Sequence, residues 1–169
     1  MDAIEAIMTR RSVRDYKSGA VSRETIDRLL ECAMQAPSAG NQQPWHFVVL
    51  TDRQKMIEAA GLHPYCQMIK VASLGILVCG DTSGLKHPLY WQQDCAAAVE
   101  NLLLAAHAMG LGAVWTGIYP TEDRVTAFQQ WLGLPDHVLP FALIPIGYPA
   151  EEPAQVERYD PKRVHMNGW

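Results

Sequence analysis

The run Leu74-Gly75-Ile76-Leu77-Val78-Cys79 contains no polar side chain. A strand with one wet face alternates apolar and polar residues, so an unbroken run predicts a central strand covered on both sides. Such cover demands two helical layers. Helical and strand-like patterns do alternate along the 169 residues, a length that fits one domain, 1–169. Two helices precede any strand, and no strand is followed by G-x-G-x-x-G or G-x-x-x-x-G-K-[ST]. This order favours an α+β fold, with a mixed β-sheet sandwiched by helices, over a doubly wound nucleotide-binding sheet.

Local signals place most of the elements. Asp2 caps a first helix with Glu5 as its capping-box partner, and Ile4, Ile7 and Met8 form the apolar face. Ser22 opens a second helix packed through Ile26, Leu29, Leu30 and Ala33, and Pro37 ends it. Ser38 to Pro44 reads as a polar loop, and Trp45 to Leu50 as a strand. Thr51 with Gln54 opens a third helix that Gly61 closes. Gln92 to Met109 reads as a long helix, rich enough in alanine for a partner helix to approach closely. Ala113 to Ile118 and Phe141 to Ile146 read as strands, flanking a helix capped by Thr121 and stopped by Gly133. From Pro149 onward the chain has prolines and charges but no period, the pattern of an arm lying against a surface.

A net charge of −4 argues against a general nucleic-acid or anionic-membrane binder. The four cysteines are widely spaced with no C-x-x-C, so free thiols in a reducing cytoplasm are expected. Asp2 and Glu5 stand where a secretion leader would be basic, and no apolar run is long enough to span a bilayer. None of Ser12, Ser22, Ser38, Ser73 or Ser83 lies in G-x-S-x-G, and the six histidines show no H-E-x-x-H. No metal site is expected, and any hard chemistry falls to a bound cofactor. Met8, Met34 and Met56 read as core fillers on helical faces.

Four polar features lack a housekeeping role: Arg10 to Arg14, the Pro37 to Trp45 loop, Trp115-Thr116-Gly117, and the basic stretch Arg158 to Arg163. A helix dipole accounts for Arg10 and Arg11 but not for Ser12 and Arg14. Two basic clusters closing on one phosphate would gain roughly 1.5–3 kcal/mol per charge-assisted contact.

The set R-R-S-V-R, A-P-S-A-G-N-Q-Q-P-W, G-L-G-A-V-W-T-G-I and I-G-Y-P resembles, in order and spacing, the flavin-dependent nitroreductase family across almost the whole chain. The resemblance implies a homodimer that binds flavin mononucleotide (FMN) at its interface, with the C-terminal arm exchanged between subunits. Arg10 and Ser12 would hold the phosphate, and Arg14 the pyrimidine edge of the ring. Pro37, Ser38, Ala39 and Asn41 would come from the other subunit, and the N–H of Thr116 or Gly117 would meet flavin N5. Arg158 is the first choice for the second phosphate contact, with Lys162 and Arg163 competing. Arg11 would point to solvent or a surface carboxylate. The implied activity is hydride transfer from NAD(P)H to a nitroaromatic, quinone or similar acceptor; the alternative is a flavin storage or sensing protein. The short segment Asp81 to Gln93 leaves two roles for Tyr90 and Trp91, capping the flavin or packing the helix start.

Overall fold

The computed structural model describes residues Met1–Trp169. Its centre is β3 (Leu74–Asp81), buried at every residue but the last. The other strands are β1 (Tyr16–Lys17), β2 (Trp45–Leu50), β4 (Gly112–Ala113), β5 (Thr116–Gly117) and β6 (Val138–Pro149). The helices are α1 (Ala3–Thr9), α2 (Arg23–Met34), α3 (Arg53–Leu62), α4 (Trp91–Ala108) and α5 (Glu122–Leu132). The sheet runs β1-β6-β3-β2, with β4 and β5 also paired to β6. Every ladder is antiparallel, and the mixed character of the sheet reduces to one parallel bridge, Ser12 with Ala113. The cause is visible between β2 and β3. Leu50 pairs with Gly75, so α3 and the 3-10 turn Gln67–Lys70 carry the chain out and back to the same edge of the sheet.

The two faces of β3 sort its apolar run. Leu74, Ile76 and Val78 pack with Leu29 and Ala33 of α2 and with Cys95, Val99 and Leu102 of α4. Leu77 and Cys79 face the other layer, with Met56 and Ala59 of α3 and Phe128 of α5. Each fully buried aliphatic or aromatic side chain contributes about 1.5–3 kcal/mol. Alternation at period 2 thus turns one apolar strand into two cores.

Several boundaries follow the expected chemistry. Asp2 accepts from Glu5 N at 2.9 Å and Ser22 from Thr25 N at 3.1 Å. Gly133, at φ 63°, ends α5 in the left-handed conformation that glycine tolerates. Other boundaries move. Asp52, not Thr51, caps α3, because its carboxylate accepts from Lys55 N at 2.9 Å. That helix also runs through Gly61 to Leu62. The expected strand from Ala113 to Ile118 divides into β4 and β5. Opposite the gap β6 carries Pro145, which has no N–H to give the ladder. Strand β1, which has no pattern of its own, forms against Tyr148 and Pro149.

The apolar face of α1 is turned outward. Ile4, Ile7 and Met8 are 70%, 56% and 67% exposed, and only Ala6 of this helix is buried. The small side chain lets α1 sit against α4 while the large ones face outward. Met8 on α1 and Met34 on α2 are both exposed, and only Met56 of the three methionines is a core filler. All four cysteines are free, with Cys66, Cys79 and Cys95 buried. No helix is long and apolar enough to cross a membrane.

Candidate functional site

Beyond Arg10, the C-cap of α1, the chain becomes extended. Val13 N donates to Ala113 O at 3.0 Å, which pins this stretch to β4 beside the Ser12 bridge. Side chains alternate along extended backbone, so Arg10, Ser12 and Arg14 share one face and Val13 takes the other. Val13 lies over Gly112, where an added Cβ would stand 2.6 Å from its Cγ1. Arg10 Nε is 3.2 Å from Glu100 Oε1 but not aligned to donate, so its N–H is buried without an acceptor. Arg11 is half-buried and pairs with no carboxylate. Its guanidinium donates to the carbonyls of Met8, Arg10 and Val156, tying the C-terminal arm to the end of α1.

Arg14 lines a cleft of about 360 Å³ with Thr116 and Gly117, the two residues expected at the flavin ring. Thr116 is buried, and its hydroxyl donates to Leu143 O at 2.6 Å. The Gly117 carbonyl takes two donors, His63 Nε2 at 2.9 Å and Arg124 Nη1 at 3.1 Å. Tyr65 N donates to His63 Nδ1 at 3.3 Å, which leaves the ring proton on Nε2. Burial, and then the charge of Arg124, hold the His63 pKa below the ordinary histidine value, so this imidazole is neutral near pH 7. A Cβ on Gly117 would meet no atom within 4 Å. The backbone there is open to a flat ligand, and Arg14 supplies positive charge at the same cleft.

The other expected residues lie apart from this cleft. Ser38 to Gln43 forms a tight loop against the start of α4. Ala39 N donates to Asp94 Oδ1 at 2.8 Å, Gln42 Nε2 to Asp94 Oδ2 at 2.7 Å, and Gln43 N to Ser38 Oγ at 3.0 Å. Gly40 and Asn41 have φ of 56° and 55°, so the loop presents a constrained backbone. Pro37, Ser38, Ala39 and Asn41 do not line the Arg14 cleft of their own chain. Arg158 is exposed on the arm, outside any helix or strand. Arg163 is paired with Asp160 at 3.3 Å, whereas Arg158 and Lys162 have no such partner. Trp91 is buried against Tyr119 and Phe141, so it packs the start of α4 and does not cap the cleft.

Three residues of this region escaped the sequence reading. His63, Arg124 and Asp94 sit on separate elements, and only the folded chain brings the first two to Gly117 and the third to the Ser38 loop. A larger hollow of about 540 Å³ lies beside β1, lined by Arg53 and Lys70, and includes none of the expected residues. No group of His, Cys, Asp or Glu is placed to hold a metal ion.

The donor set fits FMN on structural grounds. Arg10 carries a buried N–H without an acceptor, Ser12 shares its face, Arg14 lines the cleft, and Gly117 is open on its Cα side. Comparison with known proteins agrees. The nitroreductase family model matches residues 7–73 and 80–148. A Methanothermobacter thermautotrophicus protein provisionally named NADH dehydrogenase/NAD(P)H nitroreductase is 49% identical over 169 residues, covering 100% of this chain and 88% of that protein. A crystal structure from Bacteroides thetaiotaomicron, provisionally named likewise, superposes with a TM-score of 0.94 at 43% identity, covering 99% of this chain and 98% of that one. A Desulfovibrio desulfuricans structure, provisionally named a nitroreductase and in complex with FMN, superposes at 0.85 with 34% identity, covering 98% and 96%. This chain belongs to the nitroreductase family.

Proposed function

We propose that this protein is an FMN-dependent NAD(P)H oxidoreductase of the cytoplasm, acting as a homodimer with FMN at the interface. The observation that carries the reading is the cleft in which Arg14 meets Thr116 and the open Cα side of Gly117. Arg10 and Ser12 bind the phosphate and Arg14 the pyrimidine edge of the ring, while the N–H of Thr116 or Gly117 is directed at N5. The partner copy supplies the Pro37, Ser38, Ala39 and Asn41 loop, and Arg158 closes on the phosphate. Bound FMN would supply hydride transfer at N5 between NAD(P)H and a nitroaromatic, quinone or similar acceptor, in alternating half-reactions.

Within this scheme the protein needs no side-chain acid or base for hydride transfer. Its residues hold two flat molecules in register and keep positive charge near the ring edge. His63, neutral and donating to Gly117 O, fixes the backbone that faces the ring. The homodimer draws support from the outward apolar face of α1. The hollow beside it, lined by Ile7, Cys32, Leu104 and Ala105, is itself largely apolar.

Purified protein should be yellow and should bleach when titrated anaerobically with NADH or NADPH. A colourless protein that takes up no added FMN sinks the proposal. A yellow protein that neither nicotinamide bleaches favours flavin storage.

A further inference from the structure

Arg124 and Tyr65 line the cleft but hold none of the roles just assigned. Arg124 comes from the first turn of α5, beside Glu122 and Asp123, and no carboxylate lies within 4.0 Å of its guanidinium or that of Arg14. The cleft therefore has two guanidiniums and no acid in its wall, although the whole chain carries −4. His63 beside them is neutral and adds no charge of either sign.

The guanidinium of Arg124 is also held in place. One nitrogen donates to Gly117 O at 3.1 Å, and its central carbon lies 5.4 Å from the centre of the Tyr65 ring. Gly117 O already accepts from His63, so strapping that carbonyl does not by itself require an arginine. The Nη2 and Nε donors remain for a ligand. A planar fork fixed in this way loses little entropy when it binds, and carboxylate and phosphate match its geometry.

We propose that Arg124, stacked on Tyr65 at the edge of the Gly117 cleft, is an anion-recognition point that selects molecules bearing a carboxylate or phosphate group. The proposal rests on the oxidoreductase reading above and names what that reading leaves open, the charge class of the exchanging substrate. The anion has two possible sources, a carboxylate on the electron acceptor or a phosphate of the nicotinamide dinucleotide.

The test compares 4-nitrobenzoate with neutral 4-nitrobenzamide, each titrated into the oxidised, FMN-loaded protein by calorimetry. In parallel, KM is measured for NADH and NADPH. With an acceptor carboxylate as the anion, 4-nitrobenzoate binds about tenfold more tightly than the amide, within the range of one charge-assisted contact. Arg124→Gln, which keeps a donor for Gly117 O, then brings that ratio close to one. Tyr65→Leu, at a residue 73% exposed, lowers it about twofold to fivefold with no effect on folding. An unchanged ratio together with a severalfold rise in nicotinamide KM assigns the anion to the dinucleotide phosphate, and the proposal stands with that source. If Arg124→Gln moves neither quantity, the proposal is overturned. It is equally overturned if Arg124→Gln only lowers FMN content and melting temperature while Tyr65→Leu changes neither binding quantity, since Arg124 would then be a strap alone. FMN uptake and bleaching in the wild-type protein are read first, so failure of the oxidoreductase reading shows before this comparison begins.

Discussion

Gly112 offers a sharp test of how the fold sets the position of the site. A Cβ placed there would lie 2.6, 2.7 and 2.9 Å from Cγ1, Cβ and Cγ2 of Val13. A rotamer change could move the two γ carbons, but the Val13 Cβ moves only with its backbone. That backbone is tied to Ala113 O by a 3.0 Å hydrogen bond and carries Ser12 and Arg14 on either side. Gly112→Ala must therefore push the whole Arg10 to Arg14 stretch away from β4. Overpacking of this kind costs about 1–3 kcal/mol. For a chain of this size each kcal/mol lowers the melting temperature by about 2–4 °C. The variant should melt several degrees lower and retain less FMN, read as the flavin-to-protein absorbance ratio after gel filtration. Val13→Gly removes all three clashing atoms at its own cost of about 0.5–1 kcal/mol in chain entropy, plus the lost packing of its methyl groups. In that background Gly112→Ala should cost almost nothing. If Gly112→Ala melts and retains FMN like the wild type, or costs the same with and without Val13, the register argument is wrong.

Other consequences are simpler to check. Arg10→Ala should raise the FMN dissociation constant tenfold or more, the loss of roughly 1.5–3 kcal/mol, whereas Arg14→Ala should mainly slow flavin reduction; rapid-mixing absorbance separates the two, and the reverse pattern means the clamp is assigned backwards. His63 and His107 both have pKa values held below 6.5, chiefly by burial. The unfolded chain then takes up protons first, so stability is level above about pH 6.5 and falls as the pH drops through the folded values. Urea midpoints between pH 7.5 and 5 should show this slope, and His63→Asn should flatten it. Burial raises the thiol pKa of Cys66 to about 11 and of Cys79 to about 12, and Cys95 is raised as well. At most one thiol, Cys32, should react with a disulfide reagent at pH 8 before denaturant is added. Ile7→Glu, at the outward face of α1, should shift the elution volume toward that of a monomer and lower FMN content with it.

Features set by neighbouring residues were legible in the sequence. Trp45–Leu50 is the strand its residues predict, and Asp2 and Ser22 cap because side chain and amide lie three positions apart. The apolar run at β3 announced two covering layers, and both are present. Features set at a distance were not legible. Strand β1 is two residues long and exists only because Tyr148 and Pro149 lie beside it. The break between β4 and β5 is dictated by Pro145, far along the chain on the opposing strand. His63 and Arg124 stand 54 and 7 positions from Gly117, on different elements, and no short motif links them to one carbonyl oxygen.

The residues of the proposed flavin site divide by the same rule. Arg10, Ser12 and Arg14 share a face through strand period alone, and the fold carries Arg14 to Thr116 and Gly117. The Ser38 loop is ordered just as tightly, through Asp94, yet it lies away from that cleft. The loop holds Gly40 and Asn41 at positive φ and is tied to the buried Asp94, and α1 presents three large apolar residues to the outside. A second copy seated on the α1 face would cover Ile4, Ile7 and Met8. The helical period of α1 is legible in the sequence; that its large apolar side chains face away from their own chain is not, because period fixes which residues share a face but not what that face meets.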